Sequence, residues 1–196
     1  MTSRDDILQA VRSTKLAARE LPSLAGPWIT YDDRWGQFEA ALRSVGGRFE
    51  RLTSTVDATT RLADHPAFPR ASKIASLLPD LVAGNVDLQR IDDPHRLEDV
   101  DFAIMPGQFA VAENAAVWVT HHGVKHRALW FIVQHLVLVV QATQIIDNMH
   151  QAYERIHDLD SGFGVFISGP SKTADIEQSL VMGAHGPRSL TVLVYP

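Results

Sequence analysis

Cysteine is absent from this 196-residue chain. That excludes disulfides, zinc–thiolate sites, a cysteine nucleophile and any cysteine-ligated iron–sulfur cluster within it. No basic block is present. The net charge is −5 with both signs interspersed, so electrostatics give no reason to expect nucleic acid. Long apolar runs are missing too. The longest, Leu129 to Val140, is about 12 residues and holds Gln134 and His135, too short and too polar to span a bilayer. The N-terminus, MTSRDDILQAVRS, is charged and carries no signal-peptide core. Together these features lead us to expect a cytoplasmic protein without membrane insertion. No Gly-x-Gly-x-x-Gly, Gly-x-Ser-x-Gly or Walker loop occurs. Dinucleotide binding, an α/β-hydrolase nucleophile and a P-loop therefore lack support, and no cofactor is evident.

Apolar residues make up 45% of the chain, enough for one sizeable core. Ile7, Leu8, Val11 and Leu16 lie near helical spacing, with Asp5 and Asp6 near the start and Pro22 beyond the end. We expect residues 1–25 to form a helical appendage and residues 26–196 an α/β domain. Helices are expected over Phe38–Val45, Ala58–Ala63, Arg127–Val133, Ile145–Ile156 and Ala174–Met182. Strands are expected over Arg48–Leu52, Phe102–Met105, Ala115–Thr120, Leu136–Val140, Gly164–Ile167 and Leu190–Tyr195. This alternation predicts a single domain with a mostly parallel sheet flanked by helices. The near-continuous apolar strands suit a sheet covered on both faces. Ligands of such sheets favour the carboxyl ends of strands, which directs attention to Pro106-Gly107, to Ser168–Thr173 and to His121-His122.

The richest segment is SGPSKTADIEQSLVMGAHGPR, Ser168 to Arg188. A strand turning through Gly169, Pro170, Ser171, Lys172 and Thr173 into a helix would offer unpaired N–H groups to a carboxylate or phosphate. The plainer reading is ordinary helix capping by Ser171 or Thr173. Asp175 and Glu177 would oppose a bound anion unless they point away. His185 and Arg188 could hold a carboxylated ligand, or simply complement the end of a helix that Gly183 stops. Glu113, followed by Asn114, sits between two strands among Phe109, Val111 and Val117. It could act as a base or nucleophile with a raised pKa, or be a solvated turn residue. His121, His122 and His126 are the only metal-like cluster, and no nearby carboxylate completes it. No metal site is assigned.

GPSKTADIEQSLVMGAHGPR resembles the C-terminal motif of the LUD-domain family, which includes lactate-utilisation protein C. That motif runs Gly-Pro-Ser, a variable residue or two, Ala-Asp-Ile-Glu, then Gly-x-His-Gly-Pro. Gly169, Pro170, Ser171, Ala174, Asp175, Ile176, Glu177, Gly183, His185, Gly186 and Pro187 match it. A second family segment, a strand, Thr-Gly and later Ala-Ile-Ala-Glu-Thr-Gly-Thr, is similar to MPGQFAVAENAAVWVT. Gly107, Ala112 and Glu113 align there, while Pro106 replaces the threonine and Asn114-Ala115-Ala116 replaces Thr-Gly-Thr. The resemblance is clearest from Asp99 to Pro196.

It implies a fold similar to the sugar-phosphate isomerase and CoA-transferase-like superfamily. It also implies an accessory role in oxidising lactate to pyruvate, beside iron–sulfur partner proteins. An isomerase- or acyl/CoA-transferase-like enzyme using Glu113 is the alternative, and an inactive ligand-binding homologue is a third. On the residues and the resemblance together, Gly107, Asn114, Ser168, Gly169, Ser171, Lys172, Thr173, His185 and Arg188 are the candidate ligand contacts. The expected ligand is a small carboxylate or phosphate, and a homo-oligomer remains open.

Overall fold

The structure, a computed structural model, describes residues 2–14, 19–54, 57–157, 162–173 and 181–196. Its first half runs α1 (Ser3–Ser13), α2 (Arg34–Ser44), β1 (Arg48–Arg51), α3 (Asp57–Ala63), β2 (Ile74–Ser76), β3 (Phe102–Pro106), β4 (Phe109–Val111) and β5 (Ala116–Thr120). The second half runs α4 (Leu129–Ile132), β6 (His135–Gln141), β7 (Ile145–Ile146), α5 (Met149–His157), β8 (Gly164–Ile167), β9 (Lys172–Thr173), β10 (Val181–Met182) and β11 (Ser189–Tyr195).

Five strands, in the order β1-β11-β6-β3-β2, pair in parallel throughout. Side-chain alternation divides this sheet cleanly. Ala103, Met105, Leu136, Leu138, Val140, Leu190, Val192 and Val194 face one core, which Phe38 and Leu42 of α2 and Leu129 and Trp130 of α4 complete. Phe102, Ile104, Val137, Val139 and Leu193 face the other, closed by Ala58 and Leu62 of α3 and by Val82. Burying both faces is what turns β3, β6 and β11 into near-unbroken apolar runs.

The sequence suggests one sheet, but the chain builds a second of four strands, β7-β4-β5-β8. Here β5 is antiparallel to both β4 and β8, while β7 runs parallel to β4. Ala110, Val117 and Val119 turn inward to the core shared with the parallel sheet. Phe109, Val111, Ala116 and Trp118 turn outward, where Ala152 of α5 covers them. Gly164–Ile167 lies at this sheet's edge and is only half-buried, not the buried core strand expected.

Two helix expectations change. Ile145 and Ile146 do not open α5; they pair with Ala110 and Val111. The helix starts later because Asn148 caps it, its Oδ1 accepting from the Gln151 amide at 3.1 Å, while Gln151 Oε1 accepts from the Asp147 amide at 2.8 Å. Lys172–Thr173 and Val181–Met182 form an antiparallel pair of short strands. The expected helix therefore cannot reach Met182; its remainder, residues 174–180, lies outside the described residues.

At the N-terminus, α1 carries no buried residue, and Ile7 and Val11 are exposed. The predicted extension to Leu16 lies outside the described residues. Firm attachment begins at Trp28, whose ring stacks on His150 with centroids 3.6 Å apart. Asn148 Nδ2 donates to the Ile29 carbonyl at 2.7 Å. No described helix is long and apolar enough to cross a membrane.

Candidate functional site

The two motif segments meet. Ser168 follows β8, Asn114 lies in the bend between β4 and β5, and these strands share one sheet through β5. Across that junction the Ser168 hydroxyl donates to the Asn114 carbonyl at 2.7 Å. Asn114 Oδ1 accepts from the Ala116 amide at 3.1 Å. Between them Ala115 is fully buried and holds φ at 56°, a left-handed conformation that disfavours a Cβ. This is the position where the resembling motif has glycine.

Glu113 has a definite task here. Its Oε2 accepts from the Met149 amide at 2.9 Å, capping the first turn of α5. The residue is exposed, not enclosed by Phe109, Val111 and Val117 as the sequence suggests. Those three side chains are fully buried and belong to the cores on either side of the sheet.

The Gly-Pro-Ser bend is held by backbone on several sides. Gly169 has φ 76°, and a Cβ there would meet Val45 Cγ2 at 2.9 Å and the Val45 carbonyl at 3.0 Å; only glycine suits both demands. The Ser171 amide donates to the Pro187 carbonyl at 2.9 Å, and the Ser171 carbonyl accepts from the Gly183 amide at 3.0 Å. Gly186 presses against Ser171, where an added Cβ would lie 3.0 Å from the serine Cβ. The Arg188 amide donates to the Gln134 carbonyl at 2.8 Å. Both ends of the long motif thus close on one another, and Ser171 serves that closure. Lys172 and Thr173 lie in β9, so the sequence-based picture of a helix starting at those residues does not hold. Lys172, His185 and Arg188 are exposed. His185 lines an open groove of about 500 Å³ with Phe131, Ile132 and Gln134.

Gly107 belongs to a different place, the carboxyl edge of the parallel sheet. A Cβ there would meet Val117 Cγ1 at 2.5 Å and Val140 Cγ2 at 2.8 Å, so the residue lets the two sheets approach. It also borders a cleft of about 340 Å³ with Leu78, Pro106, Val139, Asp80 and Tyr195. This cleft lies where open α/β sheets take ligands, and its walls are largely apolar.

His121 and His122 stack with ring centroids 4.6 Å apart, and each of the three histidines has its own protein partner. His121 Nδ1 lies 3.2 Å from the Phe163 carbonyl, His122 Nδ1 lies 3.3 Å from Thr120 Oγ1, and buried His126 bonds the Ile91 carbonyl at 2.7 Å. Among the described residues no group of three or more histidine, aspartate or glutamate side chains is arranged to hold a metal ion.

Two features escape the sequence reading. Asp147, with its side chain 1% exposed, takes a two-pronged salt bridge from Arg34, Nη2 to Oδ2 at 2.8 Å and Nε to Oδ1 at 2.9 Å. It also accepts from the Tyr31 amide at 2.9 Å and from Gln151 Nε2 at 3.2 Å. Burial pushes its pKa up, but these partners outweigh burial and hold it below the ordinary carboxylate value. Elsewhere, at the amino edge of the parallel sheet, His65 and His135 share the Ser189 hydroxyl, at 3.2 and 2.8 Å. The adjacent residues of β3, β6 and β11 in that row are Phe102, His135 and Ser189. Register alone brings them together, and no local pattern announces it.

A family model of the LUD domain matches residues 37–195. Lactate utilization protein C of Bacillus pumilus (strain SAFR-032) is 24% identical over 162 residues, 79% of this chain and 68% of that protein. The protein of that name from Geobacillus sp. (strain WCH70) is 29% identical over 67% of this chain and 59% of its own length. Lactate utilization protein C 1 of Bacillus mycoides (strain KBAB4) is 32% identical, over 46% of this chain and 44% of that protein. The chain thus spans between 44% and 68% of these relatives' own length. The crystal structure of a DUF162 family protein from Deinococcus radiodurans superposes with a TM-score of 0.59 and 18% identity, covering 83% of this chain and 96% of that one. The likeness covers the parallel sheet and both motif bends, and the chain belongs to the LUD-domain family.

Proposed function

We propose that this chain is an accessory protein of lactate oxidation to pyruvate, binding a partner or a small carboxylate through the corner where its two motif segments meet. The observation that carries the proposal is the Ser168–Asn114 hydrogen bond, 2.7 Å long, which joins the motifs across about fifty residues of chain. Family membership and the names of the relatives, lactate utilization proteins, support this reading. With no cysteine in the chain, cysteine-ligated redox centres belong to iron–sulfur partners.

The alternative, a transferase or isomerase working through Glu113, asks that carboxylate to attack or to take a proton. One of its oxygens already caps α5, and the residue is exposed, so it lacks the enclosure that would strip its hydration before attack. Glu113→Gln separates the two readings. Glutamine keeps a side-chain oxygen for the Met149 amide but is neither base nor nucleophile. In a deletion strain growing on lactate, an accessory role expects this variant to restore growth; a Glu113 enzyme expects it to fail.

A further inference from the structure

We infer that the amino edge of the parallel sheet holds a binding site for a small carboxylate that carries a hydroxyl beside its carboxylate group. The argument starts from proton placement. The Ala67 amide donates to His65 Nδ1 at 3.2 Å. A backbone N–H cannot accept, so the neutral ring carries its proton on Nε2. That nitrogen then donates to Ser189 Oγ at 3.2 Å. Ser189 Oγ has no other partner among the described residues, so the serine gives its own hydrogen to His135 Nδ1 at 2.8 Å. His135 is left with its proton on Nε2, which has no protein partner among the described residues and is not among the buried unpartnered atoms. The Ala67 amide sets the first bond, and the lack of another described acceptor for the serine hydrogen sets the second.

Both rings stay neutral near pH 7. Burial lowers the pKa of His135 to about 4, aided by His65 and Arg188 and opposed by Asp101. Burial also lowers that of His65, aided by Arg48. His135 is therefore a fixed N–H donor, stacked on Phe102 with centroids 4.6 Å apart.

The ring opens on a cleft of about 350 Å³ lined also by Arg70, Asp101, Phe102, Pro66 and Ala71. Arg70 is exposed, and its side chain has no ion-pair or hydrogen-bond partner among the described residues. Its guanidinium is free to take a carboxylate in two-pronged fashion. Asp101 Oδ2 is occupied by the Ser72 amide at 2.7 Å, the Ser72 hydroxyl at 3.0 Å and the Lys73 amide at 3.0 Å. Its Oδ1 has no described partner and remains able to accept.

One cation, one N–H donor and one carboxylate oxygen form a recognisable set. The guanidinium suits a carboxylate. The donor and acceptor together suit a hydroxyl, which accepts from His135 Nε2 and donates to Asp101 Oδ1. A bare carboxylate would leave Asp101 unanswered, and a phosphate, with its greater charge, would be repelled by Asp101 more strongly than a carboxylate. Phe102, Pro66 and Ala71 give a short hydrocarbon group an apolar wall.

The inference rests on the proposed pathway only for its probe, L-lactate, and is tested on the purified full chain by calorimetry and by histidine ring nitrogen resonances. Saturable one-to-one binding is expected, with the His135 Nε2 resonance moving most. Arg70→Gln should weaken binding by about tenfold or more, and propionate, which lacks the hydroxyl, should bind far more weakly than lactate. Equal binding of propionate and lactate, no saturation, or an unaffected Arg70→Gln variant would overturn the assignment. Binding failure with lactate-dependent growth intact removes this site alone, while intact binding with no growth role removes the pathway reading alone.

Discussion

Arg34→Gln should loosen the whole N-terminal edge of the domain, and the geometry sets the size of the effect. Asp147 is 1% exposed and takes two hydrogen bonds from Arg34, one from the Tyr31 amide and one from Gln151. Removing the guanidinium leaves a buried carboxylate with half its donors. Breaking a fully buried pair this way costs about 3–5 kcal/mol. Arg34 is 47% exposed, so water can replace part of what is lost, and about 2 kcal/mol is the expected cost. Asp147→Asn should cost a similar amount, because its amide nitrogen must face Arg34 in either orientation, together with the Tyr31 amide or with Gln151 Nε2, all donors. The double variant should cost about 1–2 kcal/mol less than the sum of the single ones.

Urea unfolding at neutral pH measures all three, as a shift of midpoint at constant slope. Hydrogen exchange at the Tyr31 amide should accelerate more than exchange in β6. The pH dependence has a definite sign. A carboxylate whose folded pKa is lowered adds stability that is present above its unfolded value and lost as pH falls through the folded one. Arg34→Gln should therefore flatten the acid limb of the stability curve. A loss below about 0.5 kcal/mol, with strictly additive variants, would show that the pair is a surface contact of no consequence and would refute the reasoning.

Ala115→Gly should be nearly neutral in a urea titration although it deletes a fully buried methyl, because it relieves the left-handed backbone at φ 56°; Ala116→Gly, within β5, should cost about 1 kcal/mol. An equal loss for both would mean the strain is not there. Gly107→Ala should cost about 1–3 kcal/mol, since its methyl would meet Val117 and Val140 at 2.5 and 2.8 Å; full stability would contradict the close approach of the two sheets. The histidine pair makes stability fall on acidification, from the unfolded value of about 6.5 down through about 4 for His135, because the unfolded chain binds protons that the buried rings refuse. His135→Gln should shrink that loss between pH 6.5 and 4, and an unchanged slope would mean that the ring titrates normally.

The parallel core was legible because burial on both faces writes apolar residues at every position but Thr191 of Phe102–Met105, Leu136–Val140 and Leu190–Tyr195. What lay outside that rule was read less well. Ile145 and Ile146 continue the apolar spacing of α5, and only their pairing with Ala110 and Val111 makes them a strand. Lys172–Thr173 becomes a strand through its pairing with Val181–Met182, a contact that helical spacing cannot reveal. At the candidate site the motif residues were visible as letters, but their tasks were not. Glu113 caps a helix that begins 36 residues later, and Ser168 reaches back 54 residues to Asn114. The Ser189 cluster joins residues separated by 124 and 54 positions, a juxtaposition that strand order and the turn after α3 create together.

Growth of a deletion strain on lactate as sole carbon source, with affinity purification of the restored chain, decides whether this protein serves lactate oxidation. The expected result is no growth on lactate, normal growth on pyruvate, and rescue by both the native chain and Glu113→Gln, with an iron–sulfur protein retained by its visible absorbance. Undiminished growth on lactate in the deletion strain, with no such protein retained, would contradict the proposal outright.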